Sequence, residues 1–184
     1  MIYVTGANGW LGLNILKSVL SGKAVKWGLN DDEITAFILS GTSKKQIINI
    51  SSKIKIIEGD ILNKNSIESF LHDCNDGILI HTIGIIHPNR ISDFYKINID
   101  GTQNLLDVVR YKNIKRAVII SSNSPIGCNI DNQHSFNEDS EFNPYMHYGK
   151  SKMGMENLCN QYYNKNYIDL SIIRSPWFYG PYQP

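Results

Sequence analysis

Ile2-Tyr3-Val4-Thr5-Gly6-Ala7-Asn8-Gly9-Trp10-Leu11-Gly12 opens the chain and decides its fold. Four residues of strand character run straight into glycines at 6, 9 and 12, and Leu11, Ile15 and Val19 then repeat at helical spacing. The order is strand, tight turn, helix. Gly6 permits the turn, Gly9 lets the backbone approach a pyrophosphate, and Gly12 lets the helix pack closely on the strand. The free N–H groups and dipole of the helix start then face the anion, with Asn8, Trp10 and Leu11 completing the candidate phosphate-binding set. A glycine triplet alone is a weak signal; between a strand and a helix it is a strong one.

The same alternation continues along the chain. Short aliphatic or β-branched runs at Ile34–Leu39, Ile54–Glu58, Ile78–Thr82, Arg116–Ser121 and Leu170–Arg174 read as strands covered on both faces. Helical patterns fall at Leu11–Leu20, Ser66–Asp73, Asp93–Tyr111 and Pro144–Asn164, the last with Asn143 as its N-cap and Pro144 at its first position. Six strands with crossovers predict one α/β domain: a Rossmann-type, doubly wound parallel sheet with helices on both faces. Two long loops remain, 22–33 and 123–143, and the first is read as an idle insertion.

Composition bounds the function. The 184 residues carry 18 Lys+Arg against 17 Asp+Glu, a net charge of +1, which excludes a sequence-independent grip on nucleic acid. At 42% hydrophobic and 19% charged, the chain is an ordinary globular one rather than a disordered one. Its longest apolar run, 77–86, is interrupted by His81 and Thr82 and is too short for a membrane span. With strand sequence starting at Ile2 there is no leader pattern, and a cytoplasmic location is expected. Cys74, Cys128 and Cys159 are odd in number and widely spaced, read as small buried or half-buried reduced thiols. The five histidines show no metal spacing, so no metal site is expected.

In a dinucleotide fold an acid at the end of the second strand usually takes the adenosine ribose hydroxyls. Here that place holds Ser40, followed by Gly41-Thr42-Ser43-Lys44-Lys45. With no carboxylate to repel a 2′-phosphate, and with hydroxyls and ammonium groups to receive one, NADP is favoured slightly over NAD. The two lysines read equally well as solvated surface. Farther on, Tyr148 and Lys152 stand four apart on one face of the last helix, where both can address one site. A neighbouring cation favours phenolate, bringing a pKa of about 10 toward neutrality, as an acid/base acting on an alcohol or ketone requires.

Taken together these motifs resemble the extended short-chain dehydrogenase/reductases, the NAD-dependent epimerase/dehydratase superfamily. The resemblance rests on TGANGWLG at 5–12, Glu58-Gly59-Asp60-Ile61, His81-Thr82-Ile83-Gly84, Asn98-Ile99-Asp100-Gly101-Thr102, Ser121-Ser122, YGKSK at 148–152, and Arg174 through Tyr179-Gly180-Pro181. It implies that Asp60 and Ile61 hold the adenine, that Ile83 lines the path to the nicotinamide, and that Pro176 belongs to the cofactor set. Ser122 would hydrogen-bond the reacting oxygen, Tyr148 would be the acid/base, and Lys152 would hold the nicotinamide ribose. Asn98 is read as a helix-kink and packing residue. The implied activity is hydride transfer between NAD(P) and a secondary alcohol or ketone of a small-molecule substrate, with a sugar-nucleotide epimerase or a dinucleotide-binding module as alternatives and a homodimer as the compatible assembly.

Two departures narrow this. Asn123 and Ser124 stand where sugar-nucleotide dehydratases carry an Asp-Glu pair, which argues against water elimination. Trp177 and Phe178 stand near the place where sugar-nucleotide enzymes tend to carry Asn, which points to a less polar substrate. The chain ends at Gly180-Pro181-Tyr182-Gln183-Pro184, just past the sixth strand, so the resemblance casts it as the cofactor half of a two-lobed enzyme. On that reading it binds a dinucleotide but does not turn over substrate alone.

Overall fold

Alternation along one four-residue strand builds both layers of the core. In the computed structural model, which describes residues 1–23, 25, 33–129, 131, 133–176 and 179–180, β1 spans Ile2–Thr5 and is buried throughout. Ile2 and Val4 point to one face, where they meet Ala36 and Ile38 of β2 (Ile34–Leu39). Leu16 and Val19 of α1 (Trp10–Leu20) and Ile47 of α2 (Lys45–Ile50) cover them. Tyr3 points to the other face, into a cluster with Phe37, Leu79 of β4 (Gly77–His81) and Ile119 of β5 (Ile114–Ile120). That side is covered by α3 (Lys64–Phe70), α5 (Thr102–Val109) and α6 (His147–Asn164). A period of two in the strands has become two apolar layers.

With β3 (Lys55–Gly59) and β6 (Leu170–Ile173) the sheet has six parallel strands in the order β3-β2-β1-β4-β5-β6. The predicted Rossmann-type doubly wound fold is therefore present. The order reverses between β1 and β4, and in such sheets ligands bind at the carboxyl ends of the strands beside that reversal. On the α1 side the cover stops short of β6, where Ser171 and Ile173 are exposed.

All six strands match the sequence reading to within two residues at each end. The helices do not. The expected helix 93–111 is three pieces: α4 (Ile91–Tyr95), a π-helical turn Lys96–Gly101, and α5. The short α2 had no periodic signal. α3 runs two to three residues earlier than the expected 66–73 and is capped by Asn63, whose side chain accepts from the Asn65 N–H. α6 starts at His147 rather than Pro144, because the Asn143 N–H donates to the Pro125 carbonyl at 3.0 Å and ties residues 143–146 to the preceding loop. The helix is entered instead through Met146, at φ 53°.

Most of the loop 22–33 lies outside the described residues, as do Trp177, Phe178 and Pro181. Cys74 is half-buried and Cys159 buried; Cys128, expected to be at least half-buried, is exposed. Among the described residues no helix is long and apolar enough to cross a membrane, and no group of three or more His, Cys, Asp or Glu could hold a metal ion.

The closeness of α1 to β1 is testable at Gly12. A Cβ there would stand 2.4 Å from the Gly6 carbonyl oxygen and 2.7 Å from Ala7 Cα, both backbone atoms that cannot swing aside. Alanine is worth up to about 1 kcal/mol over glycine inside a helix, but overpacking of this kind costs roughly 1–3 kcal/mol. Gly12→Ala is expected to be net destabilising by about 1–2 kcal/mol, read as a lower urea midpoint at unchanged m-value.

Candidate active site

The glycine loop turns beneath the end of β4. Gly6 sits at φ +65°, and a Cβ there would come within 2.8 Å of the Thr82 hydroxyl, so only glycine lets the loop run this close. Gly9 caps α1 with no side-chain hydrogen bond and no acid in the first turn, leaving the helix-start dipole unopposed by a carboxylate. Gly9, Trp10, Leu11 and Gly12 line a cleft of about 1720 Å³, larger than most single small-ligand sites. Asn8 does not line it. Its amide donates to the Thr42 hydroxyl at 2.8 Å and ties the loop to the turn after β2.

A buried polar rod crosses behind this loop. The Thr5 hydroxyl accepts from the Thr82 N–H at 3.2 Å and lies 2.7 Å from His81 Nδ1. The Thr102 hydroxyl donates to the Asn98 carbonyl at 2.8 Å, so it accepts from His81 Nε2–H at 3.1 Å. Burial, followed by the nearby Lys152 ammonium, pushes the His81 pKa down to about 3, so the ring is neutral near neutral pH and its bare Nδ1 accepts from the Thr5 hydroxyl. Asn98 extends the rod across the π-helical turn: Oδ1 accepts from the Ile85 N–H and Nδ2 donates to the Ser151 hydroxyl, which donates to the Tyr148 carbonyl at 2.8 Å. Asn98 is the kink and packing residue that was expected, and it also anchors α6.

Ser122, Tyr148 and Lys152 all line the same cleft. Ser122 stands two residues past the end of β5, and its hydroxyl lies 3.1 Å from that of Ser124. Tyr148 packs on the Phe94 ring. Lys152 is 4% exposed, and its ammonium donates to the Ile120 carbonyl at 2.9 Å. Burial lowers its pKa to about 8. The expected lowering of the tyrosine is not what this geometry produces. Burial raises the Tyr148 pKa, and the Ser122 hydrogen bond is what pulls it down, while the Lys152 ammonium is turned to the β5 backbone.

The sequence reading missed Glu156. It is fully buried, accepts from the Ser121 hydroxyl, and is ion-paired to Arg174 Nε at 2.9 Å. Arg174 also donates to the Glu138 carbonyl, so one carboxylate ties the ends of β5 and β6 to a loop that borders the cleft. Its spacing of four from Lys152 and eight from Tyr148 puts it on the same helix face, a signal that was present. Pro176 also lines the cleft.

The remaining cofactor candidates lie along the ends of β2 to β4. Ser40 donates its N–H to the Gly59 carbonyl, Asp60 is exposed and accepts from the Leu62 N–H, and Ile61 is buried against Gly101. Ile83 abuts Gly6. The absence of a carboxylate at the end of β2 does not hold in space. The pairing Ile38↔Glu58 brings Glu58 beside the turn, where Oε2 accepts from the Gly41 N–H at 3.2 Å and Oε1 is ion-paired to Lys44.

The sequence profile of the NAD dependent epimerase/dehydratase family matches residues 2–184. The chain belongs to that family. Protein y4nL of Sinorhizobium fredii is 34% identical over 187 residues, covering 100% of this chain and 52% of that one. The N-acetyl-alpha-D-glucosaminyl-diphospho-ditrans,octacis-undecaprenol 4-epimerase of Escherichia coli O157:H7 is 25% identical, covering 97% and 49% respectively. DesIV, a dTDP-glucose 4,6-dehydratase from Streptomyces venezuelae with NAD and TYD bound, superposes with a TM-score of 0.87 at 26% identity, over 99% of this chain and 57% of that one. This family member spans about half the length of the curated relatives it matches.

The neutral His81 makes a pH prediction. In the unfolded chain a histidine titrates near 6.5, in the folded protein His81 titrates at about 3, so the unfolded state binds the extra proton between these values. Stability is lost as pH falls through that window, by at most about 1.4 kcal/mol per pH unit from this group. His81→Gln, which keeps a donor and an acceptor but cannot titrate, should lose distinctly less stability than the parent between about pH 7 and pH 4.5, as followed by urea denaturation.

Proposed function

We propose that the protein carries out nicotinamide-dependent hydride transfer at a secondary alcohol or ketone, with Tyr148 as acid/base, Ser122 positioning the oxygen and Lys152 anchoring the cofactor ribose. The observation that carries this reading is convergence: Ser122, Tyr148 and Lys152 border one cleft with the glycine loop and the start of α1. The glycine loop fits a dinucleotide, since the backbone at Gly6 and Gly12 is too close to its neighbours to admit a side chain and the α1 N-terminus faces the cleft without an acid. A dinucleotide held by the glycine loop and Lys152 would supply the hydride acceptor or donor for the substrate carbon.

The chain's own groups handle the proton. Held above its ordinary pKa by burial, Tyr148 is a phenol at neutral pH and donates to the oxygen of a ketone being reduced. Ser122, on the same cleft, offers the second contact to that oxygen. Running in the oxidising direction, Tyr148 must accept the proton, and the cation that makes this favourable is Lys152 once its ammonium leaves the Ile120 carbonyl. The Ser122–Ser124 turn carries no carboxylate, so the reading is oxidation and reduction at one carbon rather than elimination of water. NAD is the proposed cofactor rather than NADP, because Glu58 stands at the end of β2 and already occupies Lys44.

A second reading, transient oxidation by retained NAD in a nucleotide-sugar epimerase, is favoured by the similarity to the 4-epimerase. It predicts NAD that copurifies and does not exchange on dialysis. For the proton shuttle itself, Tyr148→Phe, made in a chain of the relatives' full length, should cut turnover about 10²–10⁴-fold, followed by the absorbance of reduced nicotinamide over a panel of secondary alcohols and nucleotide sugars, while dinucleotide affinity stays near parental. Parental turnover in that variant would refute the assignment.

A further inference from the structure

Glu58 is built into the molecule in a way that its place in the sequence does not suggest. It stands one residue before the end of β3, paired in parallel register with Ile38, whose side chain faces α1 and α2. Partners in register share a sheet face, so Glu58 emerges on the side from which the glycine loop enters α1. There its carboxylate bridges the turn after β2, with one oxygen on the Gly41 N–H at 3.2 Å and the other on the Lys44 ammonium. The turn is itself fixed to the glycine loop: the Thr42 hydroxyl donates to the Leu39 carbonyl at 2.6 Å and accepts from the Asn8 amide at 2.8 Å. Glu58, Gly41 and Lys44 are thus held at a set distance from the place where a pyrophosphate would lie.

We infer that Glu58, reaching over from β3, takes the place of the acid missing from the end of β2 and makes the protein select a dinucleotide with a free ribose 2′-hydroxyl over one bearing a 2′-phosphate. This rests on the dinucleotide reading above and adds the residue that sets its specificity. A carboxylate offers about four lone-pair sites, and the Gly41 and Lys44 contacts use two. The others accept from a ribose hydroxyl. A 2′-phosphate meets the same carboxylate as a like charge, and the ammonium nearest to it is already committed to Glu58. Lys44 is therefore not a phosphate receptor while Glu58 is ionised, and the Lys44 hydrogen bond followed by the Gly41 N–H holds its carboxyl below the usual range.

The test is equilibrium binding of NAD and NADP to the parent, to Glu58→Gln and to the double variant Glu58→Gln/Lys44→Ala, each checked for parental folding by circular dichroism. The parent should bind NAD more tightly than NADP. Glu58→Gln should shift the ratio of the two dissociation constants toward NADP by about tenfold, because it removes the repelling charge and frees the ammonium. Part of that gain should disappear in the double variant. A parent that prefers NADP, or a ratio unmoved by Glu58→Gln, overturns the inference, and a gain fully kept in the double variant overturns the role given to the ion pair. A parent that binds neither nucleotide overturns the dinucleotide reading itself, an outcome distinct from the others.

Discussion

The rod of hydrogen bonds from the Thr82 N–H through Thr5, His81 and Thr102 to Asn98 is the constraint on which the rest of the site depends. Thr5, His81, Thr102 and Asn98 are buried, so each must keep its partner or bear the cost of desolvation alone. Thr5 is the last residue before the glycine loop, and Asn98 is the residue that holds Ser151 and, through it, the Tyr148 carbonyl. One side of the cleft is thereby fixed relative to the other by a chain whose proton order is unique. A charged imidazole would reverse the bond to Thr5, and burial keeps the ring neutral.

Electrostatics around α6 fit the same plan. Lys152 and Glu156 lie one turn apart, both buried, and each has a separate partner: the Ile120 carbonyl for the ammonium, Ser121 and Arg174 for the carboxylate. Burial pulls the lysine down to about 8, close enough to neutrality that its charge responds to surroundings, and holds the Tyr148 phenol protonated. In this arrangement Tyr148 is ready to act as an acid, and its conversion to a base waits on a movement of one ammonium group. Arg174 carries the influence outward to the Glu138 carbonyl, at the border of the cleft.

Local pattern and long-range pairing divide what could be read from the sequence. The strands were legible because buried parallel strands are short aliphatic runs, and the glycine loop and the Tyr148–Lys152 pair because their spacing is local. The start of α6 was not, since it is set by a hydrogen bond from Asn143 to Pro125, eighteen residues back along the chain. The π-helical turn depends on Asn98 reaching the backbone of Ile85. Glu58 escaped notice at the end of β2 because only the β2–β3 register brings it there, and His81 because its partner Thr5 is 76 residues away. Single residues carried the chemistry; the sheet decided which of them meet.

The most direct measurement is a crystal structure of the protein with NAD bound. It should show the pyrophosphate over the backbone of Gly9 to Gly12 at the start of α1, the nicotinamide in the cleft beside Ser122 and Tyr148, and the Lys152 ammonium moved from the Ile120 carbonyl to the ribose hydroxyls. A dinucleotide held elsewhere, or one in this cleft whose nicotinamide points away from Ser122 and Tyr148, would contradict the account.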